Sequence, residues 1–159
     1  SQKMNYPIHG DLMRSQVLDR LQAKYGSVLL PMAYPDGCPL HPSYPSGHAT
    51  IAGACITMLK AFFEESAKVP NPVVPSNDGQ KLNVFAGESL TVGGELNKLA
   101  SNIAHGRDSA GVHYRTDGLE GIRLGEQVAV GLLRDLKLAV PENFSGFRFT
   151  TYDGVPYQV

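Results

Sequence analysis

His41-Pro-Ser-Tyr-Pro-Ser-Gly-His48-Ala-Thr-Ile-Ala-Gly-Ala-Cys-Ile-Thr-Met-Leu-Lys-Ala-Phe62 is the stretch whose reading decides the fold. Its opening residues cannot be regular structure, because Pro42 and Pro45 lack the N–H that a helix or sheet ladder requires. From Ser46 the prolines stop. Ile51, Ala54, Cys55, Met58, Leu59 and Phe62 then recur at i, i+3, i+4, i+7, i+8 and i+11, the spacing of one helical face. That face is expected to turn toward the core, with Cys55 in it. Ser46 is a natural N-cap. The helix is expected to end in a charged turn near Glu64–Lys68, where Lys60, Glu64, Glu65 and Lys68 read as a solvated face.

Upstream, Pro31, Pro35, Pro39, Pro42 and Pro45 with Gly37 make residues 31–45 an ordered loop, and Cys38 sits in it. Before the loop, Asp11 can cap a helix of about four turns. Met13, Val17, Leu18, Leu21 and Tyr25 give it an apolar stripe, and Gly26 is a natural stop. Downstream, residues 69–79 read as another loop. A third helix is expected from Val92 to His105, with Leu96, Leu99, Ala100, Ile103 and Ala104 as its stripe and Arg107 next on the same line. A fourth runs from Thr116 to Lys137. There Gly121, Gly125 and Ala129 form a small-residue ridge that admits a close neighbour, either within the chain or across an oligomer interface. Residues 147–159 alternate around Asp153-Gly154 and read as a β-hairpin. The expectation is a mainly α, single-domain helical bundle spanning 1–159, with long proline-rich loops and a C-terminal β-hairpin.

Composition narrows the function classes. The chain has 159 residues, 14 basic and 15 acidic, for a formal charge of −1 and a pI near 6.5. That balance argues against a general nucleic-acid or membrane-surface role. Hydrophobic content of 42% suffices for a core. No apolar run is long enough for a transmembrane helix, and no signal peptide is visible, so localisation is left unassigned. Two cysteines do not make a disulfide framework. The start, Ser-Gln-Lys-Met-Asn-Tyr-Pro, reads either as a trimmed terminus or as part of a longer polypeptide.

Two constellations carry chemistry. In the first, the loop enters a helix at Ser46-Gly47-His48. A helix start presents free N–H groups and a positive dipole end, which favour an anion. Ser46 adds a hydroxyl, Gly47 allows close backbone approach, and His48 brings a proton donor or acceptor. The plainer reading makes Ser46 only a cap and His48 a first-turn polar residue. The second constellation is Arg107-Asp-Ser-Ala-Gly-Val-His113-Tyr-Arg-Thr-Asp117. A guanidinium on an apolar stripe needs an anionic partner, either a carboxylate such as Asp108 or a bound oxyanion. Asp117, four residues after His113, can hold the imidazole in one tautomer if the stretch is helical. The plainer reading is a solvated His–Asp pair. His9 and His105 read as solvent-facing or capping residues near helix ends.

Together, Pro45-Ser-Gly-His48 and Arg107-x5-His113-x3-Asp117 resemble the second and third motifs shared by vanadium-dependent haloperoxidases and PAP2-type acid phosphatases. The longer strings from His41 to Thr50 and from Gly106 to Gly121 are similar to those of algal and cyanobacterial bromoperoxidases. The resemblance implies that Ser46, Gly47, His48 and Arg107 hold vanadate oxygens and that His113 ligates vanadium, with Asp117 behind it. It implies that His41 tunes the site and that His48, with His41, moves protons. In the phosphatase relatives the counterpart of His113 is the nucleophile on phosphorus. The family's first motif, a Lys followed some residues later by Arg-Pro, is not matched here. Lys3 and Arg14 are eleven apart and no Pro follows. The resemblance thus implies the C-terminal portion of a haloperoxidase.

The implied activity is oxidation of halide, bromide foremost, by hydrogen peroxide, giving a hypohalite-like species that halogenates a small organic acceptor. The alternatives are a phosphatase whose phosphate occupies the same pocket, or a catalytically incomplete fragment or assembly subunit. The implied partners are a second copy in a homo-oligomer or an upstream segment, with no nucleic acid and no membrane.

Overall fold

Ser46 ends the proline-rich loop by capping α3 (Gly47–Phe62). Its backbone is extended and its hydroxyl accepts from the Ala49 N–H, one of the donors that a helix start leaves without an intrahelical acceptor. The structure is a computed structural model that describes residues 10–29, 31, 37 and 39–159. The chain divides into two compact units, residues 1–35 and residues 36–159.

The first unit contains α1 (Gly10–Met13) and α2 (Gln16–Tyr25). The single helix expected from Asp11 is therefore broken in two. Ser15 causes the break: its hydroxyl accepts from the Val17 N–H at 3.2 Å and starts α2 afresh. Asp11 is held by Arg14 at 2.5 Å. Gly26 closes α2 as expected, at φ 68° with its N–H on the Gln22 carbonyl. His9 and Cys38 lie outside the described residues.

In the second unit α3 packs against α4 (Val92–Ser109) and α5 (Arg115–Ala139). Two antiparallel hairpins complete it. β1 (Val73–Pro75) pairs with β2 (Leu82–Val84), Val73 opposite Val84, and β3 (Arg148–Thr150) pairs with β4 (Pro156–Gln158), Phe149 opposite Tyr157. The mainly helical bundle and the terminal hairpin stand as expected. The β1–β2 hairpin lies partly in a stretch expected to be loop. Its turn is set by Asp78, whose carboxylate accepts from the Gln80 N–H and the Ser76 hydroxyl, and by Gly79 at φ 70°. Among the described residues no helix is long and apolar enough to cross a membrane.

The apolar face of α3 departs from expectation. Its buried residues are Ala49, Ala52, Gly53, Ile56, Thr57 and Lys60. The stripe expected in the core points largely outward: Ile51 is 68% exposed, Phe62 63% exposed, and Cys55 is exposed rather than core. The reason is residue size. α3 and α5 approach so closely that a Cβ on Gly125 would lie 2.1 Å from the Thr50 carbonyl oxygen. One on Gly121 would lie 2.8 Å from that of Ser46, and one on Gly53 2.3 Å from that of Ile122. The ridge of Gly121, Gly125 and Ala129 is buried within the chain and receives α3 there. The same sorting governs α4, where Gly93, Ala100 and Ala104 are buried while Leu99 and Ile103 are exposed. Larger side chains fill the flanks. Leu133, Phe147 and Phe149 cluster with Met58, Ala61 and Val130, and Ala52, Ile56 and Ala100 with Leu96, Ile122 and Tyr152.

Lys60 is the second departure, because it is fully buried rather than part of a solvated face. Its Nζ donates to Asn97 Oδ1 at 3.1 Å, lies 3.8 Å from Glu65 Oε2 and sits 4.6 Å from the centre of the Tyr152 ring. Burial holds its pKa below the ordinary 10.5, against the opposing pull of Glu65 and Glu126. The folded chain then binds fewer protons at this site than the unfolded chain. The group's contribution is present in full above 10.5 and is lost as pH falls through its folded value.

Two measurements follow from the packing. Gly125→Ala is expected to lower the unfolding free energy by about 1–3 kcal/mol. Gly131→Ala, where a Cβ meets nothing within 4 Å, is expected to be neutral or stabilising by up to about 1 kcal/mol. Urea unfolding separates them, and equal effects would contradict the close approach. The stability of the wild type relative to Lys60→Met is expected to rise as pH climbs toward 10.5; a falling difference would contradict the direction given for Lys60.

Candidate functional site

The site lies where the start of α3, the end of α4 and the start of α5 meet. Ser46 is wholly buried there. Its N–H donates to the Asp117 carbonyl at 3.0 Å, and its own carbonyl receives both the Thr50 N–H and the Thr50 hydroxyl at 2.9 Å. The first-turn N–H groups of Gly47 and His48 have no intrahelical acceptor by helix geometry. A Cβ added to Gly47 would meet nothing within 4 Å, so the space beside Gly47 is open. His48 is exposed in that first turn.

The second constellation spans the turn between α4 and α5. Arg107 stands half-buried in the last turn of α4, and its carbonyl accepts from the Val112 N–H at 3.2 Å. Asp108 pairs with His105, Nδ1 to Oδ2 at 3.2 Å, so part of this carboxylate is engaged by a neighbour one turn back. Gly111, at φ 76°, turns the chain toward α5. His113 and Asp117 are both buried. Asp117 Oδ2 accepts from the Tyr114 N–H at 2.9 Å, forming a capping box at the start of α5, and lies 3.5 Å from His113 Nδ1. The pair is thus buried, not the solvated one that the plainer reading gives. With Nδ1 turned to Asp117, Nε2 is the ring nitrogen left for a ligand.

His41 joins this group across the loop. Its ring stacks on that of His113, with centroids 6.1 Å apart and planes 30° from parallel. His41 Nδ1 lies 2.8 Å from the Pro42 carbonyl, which can accept only from a protonated Nδ1 and so leaves Nε2 to accept or release a proton.

Two contributors were missed in the sequence. One is the Asp117 backbone carbonyl, which ties the two constellations together. The other is Gly121, which lets the Ser46 carbonyl approach. The i, i+4 glycines signalled a close neighbour without saying which one. The donor set of helix-start N–H groups, a hydroxyl, a guanidinium and imidazoles suits an oxyanion. Among the described residues no cluster of three His, Cys, Asp or Glu has the arrangement of a cation site. Vanadate, an oxyanion needing one imidazole on the metal, fits these residues.

Comparison with known proteins agrees with the fold. Residues 16–140 match the model of the VCPO second helical-bundle domain, and the chain belongs to this family of vanadium haloperoxidase domains. It is 51% identical over 135 residues to the vanadium-dependent bromoperoxidase of Corallina pilulifera, covering 84% of this chain and 22% of that protein. The same figures hold for the vanadium-dependent bromoperoxidase of Corallina officinalis. The one from Ascophyllum nodosum is 47% identical over 129 residues, covering 79% of this chain and 23% of that protein. The chain therefore spans between a fifth and a quarter of the length of these curated relatives.

Asp117→Ala removes the acceptor of the Tyr114 N–H and is expected to cost about 0.5–2 kcal/mol in urea unfolding. Asp117→Asn keeps an acceptor oxygen and is expected to lose less. Equal losses would show that the cap is not what Asp117 contributes.

Proposed function

We propose that the polypeptide carrying this chain is a vanadium-dependent haloperoxidase that oxidises bromide with hydrogen peroxide and delivers a hypohalite-like oxidant to a small organic acceptor. The observation that carries the reading is the His41–His113 stack beside a buried His113–Asp117 pair, at the same end of the bundle as the Ser46 helix start.

Ser46, the Gly47 and His48 N–H groups and Arg107 would hold the oxygens of vanadate, and His113 Nε2 would bind the metal. Bound there, vanadate supplies a Lewis acid that activates peroxide toward a halide. The protein's own residues do the rest. Asp117 keeps Nδ1 of His113 facing inward. Arg107 and the helix start set fixed positive charge where negative charge must be stabilised. His48, exposed, and His41, through its Nε2, would take up or release protons at the site.

Phosphate has the same tetrahedral donor requirement, so a phosphatase reading draws on the same residues, with His113 as nucleophile and His48 as acid. The His41–His113 stack supports the haloperoxidase. The outward stripe of Ile51, Cys55 and Phe62 supports pairing with a further segment of the polypeptide or with a second copy.

The test is bromination of a phenol dye by the vanadate-loaded polypeptide. His113→Ala and Arg107→Ala are each expected to reduce turnover by about 10²–10³ or more. Robust hydrolysis of p-nitrophenyl phosphate without vanadium, inhibited competitively by vanadate, together with no dye bromination, would replace this reading by the phosphatase.

A further inference from the structure

The far end of α3 holds a second buried polar assembly that the proposed chemistry does not use. Lys60 lies fourteen residues beyond Ser46, about 21 Å along the helix at 1.5 Å per residue. Its surroundings are drawn from the C-terminal hairpin, α4, α5 and the residues just past α3. Glu65, just past α3, lies 3.8 Å from Nζ through Oε2, while its Oε1 accepts from the Thr150 N–H at 2.6 Å. Glu126, on α5, acts on the same ammonium through space, and its Oε2 accepts from the Tyr152 N–H at 2.8 Å. The Tyr152 ring covers Nζ, and its hydroxyl donates to the Gly53 carbonyl at 3.3 Å. Asn97, on α4, supplies the direct hydrogen bond to Nζ.

Lys60 thus lies beside Glu65 and within the electrostatic reach of Glu126, and each of these carboxylates holds one backbone N–H of the same short run, residues 150–152. A two-stranded hairpin of three-residue strands does not hold together by its own pairing. Its placement depends on what it docks against. Beyond this assembly it has the packing of Phe147, Phe149 and Tyr157 with Leu133, Met58, Ala61 and Val130, the Tyr157 hydroxyl accepting from Arg134 at 2.6 Å, and the exposed pair of Arg123 with Asp153.

We propose that Lys60 is a latch for the C-terminal hairpin: its buried amino group keeps Glu65 and Glu126 in place on the Thr150 and Tyr152 N–H groups, and without this side chain the hairpin leaves the bundle as one unit while α3, α4 and α5 stay folded. The physical basis is the asymmetry of buried ion clusters. Removing one partner leaves uncompensated charge, whereas neutralising the whole cluster restores balance.

The test is native-state hydrogen exchange, resolved by peptide, on the 159-residue chain. In Lys60→Met, exchange in residues 148–158 is expected to quicken at least about 100-fold, with peptides from α3, α4 and α5 changed by less than about threefold. The triple variant K60M/E65Q/E126Q keeps acceptor oxygens on both N–H groups and is expected to recover most of that protection. If Lys60→Met does not fold, Tyr152→Leu, which uncovers Nζ, is expected to quicken the hairpin about tenfold with the helices unchanged. Unchanged hairpin exchange, equal quickening of the helices, or a triple variant as fast as Lys60→Met would each overturn the latch.

Discussion

The backbone-to-backbone approach of α3 and α5 is the constraint on which the rest depends. Gly53, Gly121 and Gly125 leave no room for a side chain between the two helices. Because they do, the Ser46 N–H reaches the Asp117 carbonyl at 3.0 Å. That bond, with the His41–His113 ring contact, joins the two stretches that carry the polar chemistry. The residues before it belong to the loop and helix start around His48, and those after it to the turn holding His113. A wider spacing would leave each constellation as an ordinary cap.

The same constraint explains where apolar surface is found. Close helices bury glycine, alanine and threonine, and large side chains are pushed to the rim. Ile51, Phe62, Leu99 and Leu132 therefore face outward. A helix apolar on most sides, as α3 is apart from His48, Thr50, Thr57 and Lys60, is characteristic of the interior of a larger body. This accords with a chain that covers 22% of the bromoperoxidases of the two Corallina species.

Much of the bundle was legible because its signals are local. The N-cap at Ser46, the stop at Gly26 and the hairpin turn at Asp153-Gly154 are chemistry written within a few residues. The three long helices followed from periodicity, although α4 runs on to Ser109. Which face of α3 is buried was not legible. Hydropathy ranks Ile and Leu above Gly and Ala, whereas the close contact selects by size. Lys60 was misplaced for a related reason: its partners Asn97, Glu126 and Tyr152 are distant in sequence, and no spacing rule links them. At the site, the pairing of His113 with Asp117 could be read from an i, i+4 spacing. The stack of His41 on His113 spans seventy-two residues and needed coordinates.

The central claim is that the starts of α3 and α5 and the end of α4 enclose one tetrahedral oxyanion. Anomalous diffraction at the vanadium edge, from crystals of the polypeptide grown with orthovanadate, tests it most directly. The account predicts one strong peak within bonding distance of His113 Nε2, with its oxygens toward the Gly47 and His48 N–H groups and Arg107. Ordered crystals with vanadium bound elsewhere, or with none at this junction, would contradict it.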